Sequence, residues 1–260
     1  MLVNSGWKSF TIQLMVVIDI NCDMGEGFGN DEIIMPFISS ANIACGYHAG
    51  NERIMKQTIE LAQKNNVAVG AHPSFFDKEN FGRTEMNLAP GQIYDIIILQ
   101  LRLIEKIARL QHANLHHVKP HGALYNMSAK NPALANAIAN AVKDFDENLI
   151  LFGLSGSYSI KEAEQLNLKT ANEVFADRTY QDDGSLTPRS QTNALIEDTA
   201  KSVLQALQMI TEKKVTSVNG NEISIKADTV CVHGDGNKAV EFTKAIYQSL
   251  KQHNIDVKAI

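Results

Sequence analysis

Apolar and polar positions along this chain come in alternating blocks, a short apolar run and then a longer stretch with helical spacing. The runs at 16–20, 38–45, 67–70, 115–119, 149–153, 169–175 and 229–232 are mostly apolar and end in Gly, Pro or charged residues. That is the pattern of buried strands. Apolar positions recur every three or four residues near 52–65, 91–112, 131–143, 157–166, 192–212 and 237–254, which predicts helices. Pro132 after Asn131 suits a first helical turn, and Asn237 suits the cap of the last helix. Alternation on this scale predicts an α/β protein whose parallel strands are joined by helical crossovers. Seven such strands in 260 residues favour a (β/α) barrel, closed or incomplete, over an open sheet. With no internal repeat, low-complexity tract or linker, residues 15–260 read as one domain.

Two segments break the rhythm. Val215 to Ile225 places an Asn219-Gly220 turn between alternating runs, which predicts a β-hairpin excursion outside the barrel. Asp177 to Thr192 is a long polar loop after the sixth strand, and loops of that length in a compact domain are often lids or binding loops.

The stretch around which the chain is organised begins with a short buried strand, Val16-Val17-Ile18. It then crowds Asp19, Asn21, Asp23 and Glu26 into eight residues, and Gly25, Gly27 and Gly29 let the backbone turn sharply beside a ligand. Residues 1–14 lack the apolar core and cleavage site of a signal peptide and read as a leader of no assigned role. A formal charge of −5 argues against a nucleic-acid or anionic-membrane surface. The apolar stretch from Ile93 to Leu110 is interrupted by Asp95, Gln100, Arg102 and Glu105, which excludes a membrane span. Cys22, Cys45 and Cys231 are odd in number and widely spaced, which suits a reducing, cytoplasmic setting. All three read first as small buried core residues, with Cys45, beside Tyr47 and His48, the one candidate nucleophile among them.

The chemistry gathers where the strands end. In parallel α/β folds that edge is where ligands bind. His48, His72, His121 and His233 each follow a strand and lie near Gly or Pro; His112, His116, His117 and His253 read as packed or solvated. A lone histidine is usually one of those, but four at equivalent positions form a set. Two chemistries fit it. Asp23, His48 and His72 could make a carboxylate-plus-two-imidazole metal site that acidifies a water. Alternatively the rim handles a phosphorylated species, with Lys119 as a point charge and Arg83, Arg178 and Arg189 as clamps. Asp23 or a histidine would then move protons. There is no Gly-x-x-x-x-Gly-Lys-[Ser/Thr] loop and no Gly-x-Ser-x-Gly elbow.

Six ordered blocks, DINCDMGEGFG from Asp19, ANIACGYHAGN from Ala41, VGAHPSF with FGR from Val69, VKPHGALYN from Val118, FADRTYQDDGSLTPR from Phe175 and VHGD from Val232, together resemble the LamB/YcsF family. The resemblance runs from about Val16 to the C-terminus. It implies a distorted, often seven-stranded (β/α) barrel of the glycoside hydrolase/deacetylase kind. The implied activity is that of one component of an ATP-dependent 5-oxoprolinase, a hydrolase that opens the cyclic amide of 5-oxo-L-proline to L-glutamate. ATP with Mg²⁺ would be the co-substrate, separate B and C subunits the partners, and a homo-oligomer is possible. On that reading Lys119 and Arg178 hold phosphate or substrate carboxylate, and Asp23 with His48 or His72 activates water. His121 or His233 then protonates the ring nitrogen. Alanine at Asp23 or Lys119 should abolish turnover without unfolding the chain. A stand-alone metal-dependent amidohydrolase or deacetylase, and a non-catalytic substrate-binding subunit, are the alternatives. The chain departs from the pattern at Asn51-Glu52 (commonly Asp-Pro), at Thr84 (often Arg), at Gln191 to Ala194, and at Gly236-Asn237.

Overall fold

Strand β1 (Val16–Met24) sets the plan, because its alternate side chains serve two different interiors. Ile18, Ile20, Cys22 and Met24 face outward into the apolar core, while Asp19, Asn21 and Asp23 face inward and bond to residues of other strands. The computed structural model describes residues 16–233 and 238–260. The leader expected at 1–14 and the cap expected at Asn237 lie outside the described residues.

After β1 come α1 (Asp31–Ile34), β2 (Ser40–Ala44), α2 (Glu52–Lys64), β3 (Ala68–His72), α3 (Pro90–Arg109), β4 (His117–Val118) and α4 (Gly122–Lys130). Then follow α5 (Pro132–Phe145), β5 (Ile150–Leu154), α6 (Tyr158–Gln165), β6 (Lys169–Phe175) and α7 (Thr199–Leu207). The chain ends with β7 (Lys214–Thr216), β8 (Glu222–Ser224), β9 (Thr229–Val232), α8 (Ala239–Gln252) and β10 (Ile255–Val257). Strands β1, β2, β3, β4, β5, β6 and β9 pair in that order, all parallel, and β9 pairs back onto β1. The result is the closed seven-stranded barrel expected, with helices around it. β7 and β8 form the predicted antiparallel hairpin outside the barrel, turning at Gly220 with φ +84°.

Three expectations need correction. Val16 and Val17 are exposed, 45% and 53%, and pair only with β10; burial begins at Ile18 and the strand runs on to Met24. The acidic residues Asp19 and Asp23 therefore lie within the strand rather than after it. The helix expected over 192–212 starts at Thr199 instead, because Leu195 bridges back to Arg178 and the Asp198 side chain caps the helix by accepting from Lys201 N. It ends in a wider π turn over Gln208–Glu212. Finally α4 begins shortly after the fourth strand, in the segment expected to be loop.

The barrel interior is polar at the bottom. Asp19 accepts hydrogen bonds from the hydroxyls of Ser39, Ser40 and Thr229. Above it Asn42 donates to Asn21 and receives from His117 Nε2 at 2.8 Å. The His117 ring lies flat on Phe152 at 4.2 Å. It fits there only because position 70 is glycine: a Cβ on Gly70 would stand 2.0 Å from His117 Nε2.

Candidate active site

The C-terminal ends of β1, β3, β4, β6 and β9 bring Asp23, His72, Lys119, Glu173 and Cys231 together above that polar column. Lys119 is 3% exposed and donates to Asp23 Oδ1 at 3.0 Å, Asn21 Oδ1 at 3.1 Å and Cys231 Sγ at 3.1 Å, with Glu173 Oε1 at 2.8 Å. Burial alone would lower its pKa, but Asp23, Cys231 and Glu173 hold it well above the usual lysine value. Burial likewise works against the Asp23 carboxylate, yet His72 and Lys119 keep it ionised, well below the ordinary range. Lys119 thus acts as the cation that ties two strand-end carboxylates together, with its protons directed at protein acceptors.

His48, His72 and His121 converge beside this group. His72 Nδ1 donates to the Lys119 carbonyl at 2.6 Å, and His121 Nε2 donates to the Phe81 carbonyl at 2.9 Å. His48 Nδ1 lies 2.9 Å from the Ser74 hydroxyl, whose own proton goes to the Phe75 carbonyl, so His48 must be the donor. The other nitrogen of each ring then turns inward, as a lone pair on the neutral rings of His48 and His121. His72 Nε2 and His121 Nδ1 stand 2.9 Å apart, Asp23 Oδ2 lies 3.3 Å from His72 Nε2, and Glu26 Oε1 lies 3.1 Å from His48 Nε2. Burial lowers the pKa of His48 strongly and pushes that of His121 down to about 3, so both rings are neutral at neutral pH.

Local sequence explains this placement. Glu26 sits between Gly25 and Gly27, both at positive φ, in the turn that leaves β1. His48 is carried by the tight turn before α2, which Asn51 caps by accepting from Ile54 N. Phe81 and Gly82 are both left-handed, at φ +56° and +66°, and so aim the Phe81 carbonyl at His121. A Cβ on Gly82 would come within 2.9 Å of both His121 and His48. Ser74 is fixed by Gln100 of α3, which accepts from its N–H and donates to its carbonyl.

His233 stands across the cavity. Arg189 can only donate, so His233 Nε2 accepts from it at 3.0 Å while Nδ1 gives its proton to Asp177 at 2.8 Å. Burial raises the Asp177 pKa, but His233 and the two nearby arginines more than offset it and leave it lowered. Arg178 is buried and donates to the carbonyls of Thr187 and Ala194, so it closes its own loop. Over the whole arrangement opens a cavity of about 820 Å³, lined by Asp23, His72, Lys119 and His121 and by the cations Arg83, Lys161, Arg178 and Arg189. Cys45 is fully buried and burial pushes its thiol up to about 12, which removes it as a nucleophile. Glu26, Glu173, Ser74 and Asp177 carry no role in the chemistry expected from sequence, yet each holds a named partner at this rim. Three are carboxylates at or just past a strand end, a signal present in the sequence.

A family model described as LamB/YcsF matches residues 18–260. The chain belongs to the LamB/YcsF family. A Staphylococcus epidermidis protein named as the A subunit of 5-oxoprolinase is 51% identical over 248 residues, covering 94% of this chain and 98% of the relative. One from Oceanobacillus iheyensis with the same name is 50% identical over 246 residues, covering 93% and 96%. The solved structure of the lactam utilization protein from Thermus thermophilus superposes with a TM-score of 0.89 at 38% identity, covering 94% of this chain and all of that one. A family 4 carbohydrate esterase from Streptomyces lividans, at 11% identity and a TM-score of 0.51, shares the fold alone; the match covers 94% of this chain and 93% of that one.

Proposed function

We propose that this chain is the A subunit of a 5-oxoprolinase that opens 5-oxo-L-proline to L-glutamate with hydrolysis of ATP. The observation that carries the reading is identity of about half over nearly the full length of both chains with proteins bearing that name. The site's chemistry supports it. A five-membered lactam is a resonance-stabilised amide, so its carbonyl must be activated before water can open the ring. Phosphoryl transfer from ATP to the amide oxygen makes that carbon electrophilic. Water then adds, the C–N bond breaks as the ring nitrogen takes a proton, and a second water releases phosphate from the acyl phosphate.

Asp23, ionised and opening onto the cavity, takes the proton from the attacking water and returns a proton to the ring nitrogen. Arg83, Arg189 and Lys161 on the cavity wall face the substrate carboxylate and the transferred phosphoryl group. Lys119 and Arg178 act one step back, by fixing Asp23 and the loop. Mg-ATP reaches this site in a complex with B and C subunits, since the chain has no phosphate-cradling loop of its own.

The test is glutamate release from 5-oxoproline by the chain alone and with B and C subunits, each with and without ATP. Glutamate should appear only with ATP in the mixture, and Asp23→Asn should cut the rate about 100-fold or more. No glutamate from an intact, verified complex, or full turnover by Asp23→Asn, overturns the assignment.

A further inference from the structure

Three imidazoles whose outer N–H groups are all spoken for are an unusual thing to bury around one carboxylate. His72 Nδ1 donates to the Lys119 carbonyl, His121 Nε2 to the Phe81 carbonyl and His48 Nδ1 to the Ser74 hydroxyl. The inward nitrogens of the neutral His48 and His121 rings are therefore acceptors, and that of His121 faces His72 Nε2 at 2.9 Å. Such a contact is attractive only with a proton or a cation between the two nitrogens.

The spacing favours the cation. Glu26 Oε1 lies 3.1 Å from His48 Nε2, 3.9 Å from His72 Nε2 and 3.6 Å from His121 Nδ1, and the His72–His121 separation is 2.9 Å. All four ligand atoms lie within 4.8 Å of one another. Metal–ligand bonds of ~2.0–2.1 Å place the corners of a tetrahedron ~3.3 Å apart, so the four separations bracket that edge. Histidines that bind metals characteristically donate their other N–H to a carbonyl or carboxylate, which fixes tautomer and ring orientation. All three rings here have an outer partner, and two of the partners are backbone carbonyls.

We infer that Glu26, His48, His72 and His121 form a binding site for one divalent first-row transition ion, with Zn²⁺ the best match to three nitrogens and one oxygen. This set differs from the Asp23, His48 and His72 grouping suggested by the sequence: the carboxylate within reach of all three rings is Glu26, and Asp23 belongs to Lys119. One adjustment is required. The His48 and His121 rings are stacked, 3.8 Å apart and 7° from parallel, so an ion bound by both sits off each plane until they tilt apart. The site is independent of the oxoprolinase reading, and its test uses neither ATP nor lactam.

The full chain, stripped with a chelator and dialysed, is titrated separately with Zn²⁺, Mn²⁺ and anaerobic Fe²⁺ and assayed for bound metal and heat of binding. One Zn²⁺ per chain is expected, with X-ray absorption reporting imidazole nitrogen and carboxylate oxygen ligands. His48→Gln and His121→Gln should each weaken binding at least tenfold, whereas His253→Gln, at the end of α8, should leave it unchanged. If the ligand variants fold poorly, histidine ¹⁵N spectra of the unaltered chain decide the matter. Added Zn²⁺ should shift Nε2 of His48 and His72 and Nδ1 of His121. Less than stoichiometric binding of every ion, with a proton shared between His72 and His121 in the spectra, overturns the site. So does stoichiometric binding indifferent to both ligand variants.

Discussion

Lys119 shows how burial changes the meaning of a residue. By sequence it is a cation at a strand end, ready for phosphate. In the folded chain it is 3% exposed and held by Asp23 on one side and Glu173, itself fully buried, on the other. Removing one partner from a buried ion group leaves the others uncompensated, which typically costs about 3–5 kcal/mol. Lys119→Ala should therefore lower unfolding free energy by about that much in urea titrations, contrary to the expectation that it silences turnover without harming the fold. Adding Glu173→Gln should recover part of the loss, because it removes one of the two stranded charges. If the double variant is no more stable than Lys119→Ala alone, Lys119 is not the charge that offsets the burial of Glu173. The sequence exposed the residue types at the rim, and Asp23, His48, His72, Lys119, His121 and His233 do gather there. It could not expose direction: whether Lys119 and Arg178 turn to the cavity or to the protein depends on the partners that folding supplies.

Among the elements, those that bury a full apolar face were legible and the short ones were not. Helices α2, α3, α5 and α6 were legible because their apolar stripes repeat over two or more turns. α4 is nine residues long and follows β4 after only three residues, and β10 is a three-residue edge strand, so neither builds a periodic signal. Gln100 shows the limit from the other side. In sequence it interrupts an apolar helix and helps exclude a membrane span. In the fold it is fully buried, bonds to both backbone groups of Ser74, and so holds the hydroxyl that orients His48. Gln100→Leu preserves the helix but leaves a buried N–H and a buried carbonyl without that partner. A loss of about 2–3 kcal/mol in thermal or chemical unfolding is expected. A neutral result would mean that Ser74 is held by its loop alone.

At the scale of the whole molecule, closure of the barrel through β1 and β9 joins segments about two hundred residues apart, which no local pattern encodes. The hairpin was visible from its Asn219-Gly220 turn, but its purpose appears only in three dimensions. Asp182, in the loop after β6, accepts from Ser217 Oγ and from Asn219 Nδ2 at 2.9 Å, and Val218 N donates to the Tyr180 carbonyl at 2.9 Å. The same loop is tied inward by Arg178 and supplies Arg189 to the cavity wall. The hairpin therefore braces a wall of the site from outside the barrel. Asp182→Ala cuts the brace without touching the cavity. Losing those side-chain hydrogen bonds should ease local opening by about 1–2 kcal/mol, so amides from Thr179 to Thr187 should exchange about 5–30-fold faster with deuterium. Barrel strands should exchange as before, because the sheet is untouched. In the assembled complex the apparent KM for 5-oxoproline should rise, since a looser wall positions Arg189 less well. Unchanged exchange in the loop would mean that Arg178 and the Val218 N–H to Tyr180 carbonyl bond hold it without Asp182.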